Sequence, residues 1–167
     1  MWPRISSWSA MLLFLATSFT GIDNSYAYSS CEPLKRLLVH ADTGFRQLRG
    51  YNDPRIRGWV ATYRMPGASR CTIEDVEDTA YYSCKWAHDP QAGSVSEVYS
   101  DLLQFVTRCL KVSATSEHSD GQDKQSARFG ITGSRKTVVV EKSESPSSGP
   151  LVTLYVIPLA LNELSSE

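Results

Sequence analysis

Apolar and polar positions follow two rhythms along this chain. Leu34, Leu37, Leu38, Ala41, Phe45 and Leu48 fall at spacings of three and four, the stripe of an amphipathic helix. Ser29 and Glu32 ahead of it form a capping-box pattern that starts the helix there. Pro33 is tolerated in the first turn, and Gly50 is placed to end the helix. Tyr51 to Gly58 contains Asn52-Asp53-Pro54 and reads as a loop. Beyond it Trp59, Ala61, Tyr63 and Met65 alternate with Val60, Thr62 and Arg64, a strand that ends at the turn signal Met65-Pro66-Gly67.

The stretch from Cys71 to Trp86 has a period of two. A two-residue turn at Glu77 and Asp78 pairs Val76 with Thr79, Ile73 with Tyr82 and Cys71 with Cys84. Because strand side chains alternate faces, Cys71, Ile73, Tyr82, Cys84 and Trp86 share an apolar face, and Thr72, Glu74, Tyr81, Ser83 and Lys85 share a polar one. That pattern belongs to an antiparallel sheet covered on one side. A slip of one residue would turn Ile73 and Trp86 outward. Glu-Asp is not a preferred hairpin dipeptide, so a longer or bulged loop is an alternative. Trp59, Tyr63, Tyr82 and Trp86 are expected in the core, on the period of the cysteines.

A second helix is expected from Pro90 or Ser94. Asp89 with Pro90 makes an ordinary helix opening, Ser94 with Glu97 makes another capping box, and Val95, Val98, Tyr99, Leu102, Phe105, Val106, Cys109 and Leu110 form the buried stripe. Residues 113–127 are polar with almost nothing apolar and read as a mobile loop. Two strands follow, Lys136 to Lys142 and Leu151 to Ile157, separated by the turn-rich Ser143 to Pro150. No internal repeat is visible. The order α-β-β-β-α-β-β predicts an α+β two-layer sandwich: a mainly antiparallel five-stranded sheet with two helices on one face.

Cysteine chemistry and compartment refine this picture. Arg4, an apolar run from Ala10 to Phe19 and the small residues of Ser25-Tyr26-Ala27 make residues 1–27 a secretory signal peptide. The run is too short to span a bilayer, which takes roughly 20 residues. The remaining 140 residues suit one domain over 28–161 with a disordered tail at 162–167. Four cysteines in an exported chain imply two disulfides. The hairpin register selects Cys71 with Cys84, which leaves Cys31 with Cys109, opening one helix and closing the other. Loop entropy makes the short bridge worth about 3 kcal/mol and the long one about 4.5 kcal/mol. The compartment is periplasmic or extracellular, and the lack of an Asn-x-Ser/Thr acceptor leans to a bacterial source.

Charge is near balance overall but unevenly laid out. Eight basic residues stand against three acidic ones from Tyr28 to Arg70, and ten acidic against three basic from Cys71 to Asp123. Such a surface steers a charged partner or simply neutralises itself across the fold. The basic residues are scattered without an aromatic-basic motif, which argues against nucleic acid.

Candidate chemistry is sparse. His40 falls on polar positions of the first helix and His118 in the polar loop, both solvent-facing histidines by this reading. His88 beside Asp89 could form a catalytic pair, yet neighbouring side chains seldom face each other and no activated serine or free thiol accompanies them. No ligand spacing suits a metal and no motif suits a cofactor. The polar sheet face instead offers Glu74, Tyr81 and Lys85 to a partner.

The element order, helix, three strands, helix, two strands, resembles the small secretion chaperones of type III secretion systems. That resemblance implies binding of an unfolded effector segment on the surface, and a homodimer. Three classes of function follow from the chain: a protein-binding module such as an inhibitor, immunity protein or chaperone; a small hydrolase using His88 and Asp89; and a structural envelope protein without a defined ligand. The first is the expected one, with another protein as partner.

Overall fold

A computed structural model describes residues 28–77, 79–87, 94–119, 124–145 and 149–158. The expected signal peptide at 1–27, the expected tail at 162–167 and the pair His88 and Asp89 lie outside the described residues. Two helices, α1 (Glu32–Ala41) and α2 (Val95–Leu110), accompany eight strands: β1 (Arg49–Asp53), β2 (Gly58–Ala61), β3 (Arg70–Val76), β4 (Thr79–Ala87), β5 (Ser116–Ser119), β6 (Lys124–Gly130), β7 (Lys136–Ser145) and β8 (Gly149–Pro158). The strands form one sheet in the order β1-β2-β3-β4-β8-β7-β6-β5, and every pairing is antiparallel. The class is α+β, as the sequence predicts. The sheet has eight described strands in place of five, and each half of the chain follows one plan, a helix and then a four-stranded meander.

The cysteine hairpin has the register read from the sequence. Val76 faces Thr79, Ile73 faces Tyr82 and Cys71 faces Cys84. Glu77 takes a left-handed φ of 52°, as a tight turn between twisted strands requires. Both disulfides are present. Cys71–Cys84 joins strand neighbours whose Cα atoms are 4.1 Å apart, and Cys31–Cys109 ties the start of α1 to the end of α2.

The first helix is shorter than expected. Its first residue is Glu32, with Cys31 at the N-cap and no side-chain cap; Ser30 Oγ accepts from Glu32 N–H at 3.2 Å instead. A start at Ser29 would put Pro33 where the first intrahelical N–H is needed, whereas a start at Glu32 puts it inside the turn whose N–H groups have no helical partner. The helix stops at Ala41 because Gly44 and Phe45 are both left-handed, at φ 59° and 57°. A left-handed residue with a Cβ costs about 1 kcal/mol, and Phe45 offsets this by complete burial against Tyr82, ring centroids 5.7 Å apart.

Gly50 is therefore no helix terminator. It lies in β1, where a Cβ would come within 2.6 Å of the Val60 carbonyl oxygen. The expected loop from Tyr51 to Gly58 contributes β1 up to Asp53. The expected strand from Trp59 to Met65 is only Gly58–Ala61, although Met65 still reaches the core. Trp86 Nε1 donates to the Pro66 carbonyl at 3.2 Å and Tyr82 Oη to the Tyr63 carbonyl at 2.7 Å. These two bonds hold the irregular 62–69 stretch on β4.

The second helix opens with the capping box: Ser94 Oγ accepts from Glu97 N–H at 3.2 Å and Glu97 Oε2 accepts from Ser94 N–H at 2.6 Å. Leu102, Phe105 and Val106 of its stripe are fully buried. The region expected as a mobile loop at 113–127 carries β5 and the first half of β6, with Ala127 in the core. Strands β7 and β8 run on into the expected turn region, pairing as far as Ser145 with Gly149. A long ladder supplies hydrogen bonds that local turn residues cannot outbid.

The core lies between the helices and one face of the sheet. Leu34 and Leu37 of α1 and Leu102, Phe105 and Val106 of α2 join Ile73, Tyr82, Cys84, Val138, Val140, Leu154 and Val156 in one buried cluster. Trp59 and Tyr63 pack at its margin only partly buried, under the guanidinium groups of Arg49 and Arg36 at 5.5 and 4.6 Å. Tyr28 closes the α2 end: its ring lies 5.2 Å from Phe105 and its carbonyl accepts from Arg108. Burial and the Asp101 carboxylate push its hydroxyl up to about 12.

Candidate functional site: the uncovered face of the sheet

Since side chains alternate along a strand, the residues between the core positions of β3, β4, β7 and β8 point away from both helices. Cross-strand partners share a face, so the ladder fixes the layout. Thr72 lies opposite Ser83 and Glu74 opposite Tyr81; Ser83 lies opposite Tyr155 and Lys85 opposite Thr153; Tyr155 lies opposite Val139 and Thr153 opposite Glu141. The hydroxyl residues Thr72, Ser83 and Thr153 are buried on this face, at 5%, 1% and 3% exposure. No described helix covers them, so their longer neighbours do.

Glu74 is the centre of the arrangement. Its Oε2 accepts from Tyr81 Oη at 2.7 Å and its Oε1 from Thr72 Oγ1 at 3.1 Å. Thr72 Oγ1 is also 2.9 Å from Ser83 Oγ. A hydroxyl carries a single proton, so Thr72 gives its proton to Glu74 and receives one from Ser83. The Tyr81 and Tyr155 rings lie 6.2 Å apart at 58°. Desolvation, then the Glu74 carboxylate, push the Tyr81 hydroxyl well above the ordinary tyrosine value. Desolvation and then Glu141 raise the Tyr155 hydroxyl as well, with Glu74 adding to it and a hydrogen bond from Thr153 opposing it. Both carboxylates thus act on Tyr155, and both phenols keep their protons at neutral pH.

Gly58 packs closely against the flank of this cluster and is buried there. It pairs with Glu74, and a Cβ there would stand 3.2 Å from Glu74 Cγ and 2.3 Å from the Ile73 carbonyl oxygen. Lys124 neutralises Glu141 at 3.1 Å. Among the described residues Glu74 has no basic side chain within ion-pair distance. Lys85 is exposed and faces Arg70 across the ladder, and Arg70 turns away to Asp53 at 3.0 Å. Lys85 is likewise without a carboxylate among the described residues. It lies four residues along β4 from Tyr81, about 13 Å at the rise of a strand. Glu74 and Lys85 therefore stand unneutralised at separate places on the face, and Arg128 of β6, opposite Val139, is a further exposed cation there without a carboxylate among the described residues.

Of the residues singled out in the sequence, Glu74 and Tyr81 come together directly and Lys85 stands on the same face. Tyr155 and Glu141 were missed, because only the β4–β8 and β7–β8 pairings bring them beside the hairpin. The alternation of Val152, Leu154 and Val156 against Thr153 and Tyr155 was the available signal. His40 lies near the end of α1 and His118 on β5.

A depression of about 480 Å³ lies beside the end of the β3–β4 hairpin among Asp42, Gly44, Arg46, Arg49, Asp75 and Glu77. Its charges are mostly used internally. Arg49 grips Asp75 through two bonds of 2.7 and 3.1 Å and donates to the Gly44 carbonyl, and Lys136 holds Asp42 at 2.7 Å. Among the described residues no three His, Cys, Asp or Glu side chains gather as a metal requires, and no helix is long and apolar enough to cross a membrane. Compared with known proteins, the chain matches no family model, no curated protein and no solved structure.

Proposed function

We propose that the chain is an exported binding module that takes a partner protein on the uncovered face of its sheet, as an inhibitor, immunity protein or chaperone does, and carries out no reaction of its own. The observation that carries this reading is the half-buried tyrosine, hydroxyl and carboxylate network on that face, with Glu74 and Lys85 left without ion-pair partners among the described residues. Aromatic side chains with a polar tip are the usual anchors of protein interfaces. Two disulfides support a chain that works in an oxidising compartment.

Photo-crosslinking tests the reading. A benzoylphenylalanine at position 85 of the mature oxidised protein, in envelope extract from its source, should give one discrete adduct. Excess unlabelled wild type should compete it away, and unlabelled Tyr81→Ala protein should not. The same probe at position 39, exposed on α1, should give none. Identical adducts from both positions, or none from position 85, would refute binding through this face.

A further inference from the structure

The Glu74 cluster also indicates what the partner brings to it. A carboxylate has about four acceptor sites, and two of those on Glu74 are taken by Tyr81 and Thr72. The donors are neutral hydroxyls, so the charge itself is uncompensated among the described residues. Two phenol rings stand beside it, and their faces attract cations. Glu74, Tyr81 and Tyr155 are each only half-buried, so the cluster is reachable from solvent. Glu141 nearby already has Lys124.

Resting on the binding-module reading, we infer that Glu74, Tyr81 and Tyr155 form a subsite for a basic side chain, arginine or lysine, of the docked partner protein. The charge is satisfied only when the partner is in place, so the subsite selects as well as binds: a neutral or acidic group there leaves Glu74 desolvated and unpaired. Arginine fits the arrangement best, because its planar guanidinium hydrogen-bonds a carboxylate edge and stacks on an aromatic ring at once. Lys85 on the same face provides the opposite preference, for a carboxylate about 13 Å away.

The test uses defined probes on the full mature oxidised protein at low ionic strength. Amide chemical shifts are followed by NMR during titration with N-acetyl-arginine amide, N-acetyl-lysine amide and the neutral N-acetyl-citrulline amide. Saturable shifts confined to the strands around residues 74, 81 and 155 are expected for the arginine and lysine probes and not for citrulline. In Glu74→Gln, which keeps the acceptor for Tyr81 and so the fold, the apparent affinity should drop at least about tenfold, the loss of roughly one charge-assisted contact. Equal responses in wild type and Glu74→Gln, binding of citrulline as tight as arginine, or no saturable shift overturn the subsite. Shifts at 74 and 81 that grow with protein concentration alone mean that a second copy fills the face, and overturn it too. An adduct in the crosslinking experiment with no arginine response removes this inference and leaves the binding module standing. The reverse outcome removes the module and keeps a cation site.

Discussion

Breaking the bridge between Cys31 and Cys109 should cost as much as a severe large-to-small substitution in the core. The two cysteines are 78 residues apart in sequence, with Cα atoms 5.3 Å apart in the fold. Closing a loop of that length removes about 15 cal/mol/K of entropy from the unfolded chain, or about 4.5 kcal/mol at 25 °C. Both sulfurs are only partly buried, so replacing both residues by alanine adds little lost packing, and the effect is carried by the unfolded state. Domains of this kind have roughly 5–15 kcal/mol in total, so the Cys31→Ala/Cys109→Ala variant should lose a large fraction of its stability. Urea unfolding followed by tryptophan fluorescence and circular dichroism reads this directly. The midpoint should fall and the m-value should rise, because the freed chain exposes more surface when unfolded. A loss below about 1 kcal/mol with an unchanged m-value would mean that the bridge does not restrain the unfolded chain, and the loop-closure argument fails.

Three further outcomes follow from local geometry. Gly58→Ala sets a Cβ against the Ile73 carbonyl oxygen, a backbone atom that cannot swing aside, and should destabilise by about 1–3 kcal/mol in thermal melts; an unchanged melting temperature would mean that β2 does not sit as tightly on β3 as described. Tyr82→Phe removes the bond to the Tyr63 carbonyl from a fully buried ring and should cost about 1–3 kcal/mol by urea titration, with a loss near zero showing that water replaces the hydroxyl. Asp53 is buried and receives four bonds, three from Arg55 and one from Arg70; the Arg55 bonds above all hold its carboxyl far below the usual range. A depressed carboxyl stabilises above its unfolded value of about 4 and loses that contribution as pH falls below it. Wild-type stability should therefore decline between about pH 5 and pH 2 more steeply than that of Asp53→Asn, which is weaker at neutral pH; parallel curves would contradict this.

The sequence by itself determined those features whose physics is local. The 71–84 hairpin register, the Cys71–Cys84 bridge and the Ser94 and Glu97 cap of α2 were legible because alternation, turn length and capping each act within a few residues, and with four cysteines the local bridge left Cys31 to Cys109 by elimination. The length of α1 was not, since the stripe through Phe45 and Leu48 is apolar for the core while the backbone at Gly44 and Phe45 leaves the helix to reach it. Nor were β1, β5 and the start of β6, whose polar residues carry no pattern of their own and become strands only because a neighbouring strand offers its ladder. The candidate site divides the same way. Glu74 and Tyr81 share a face by hairpin register alone, whereas Tyr155 arrives from a residue more than seventy positions away through the pairing of β4 with β8. Only the tertiary structure decides such a meeting, because sheet hydrogen bonds join strands without regard to their separation along the chain.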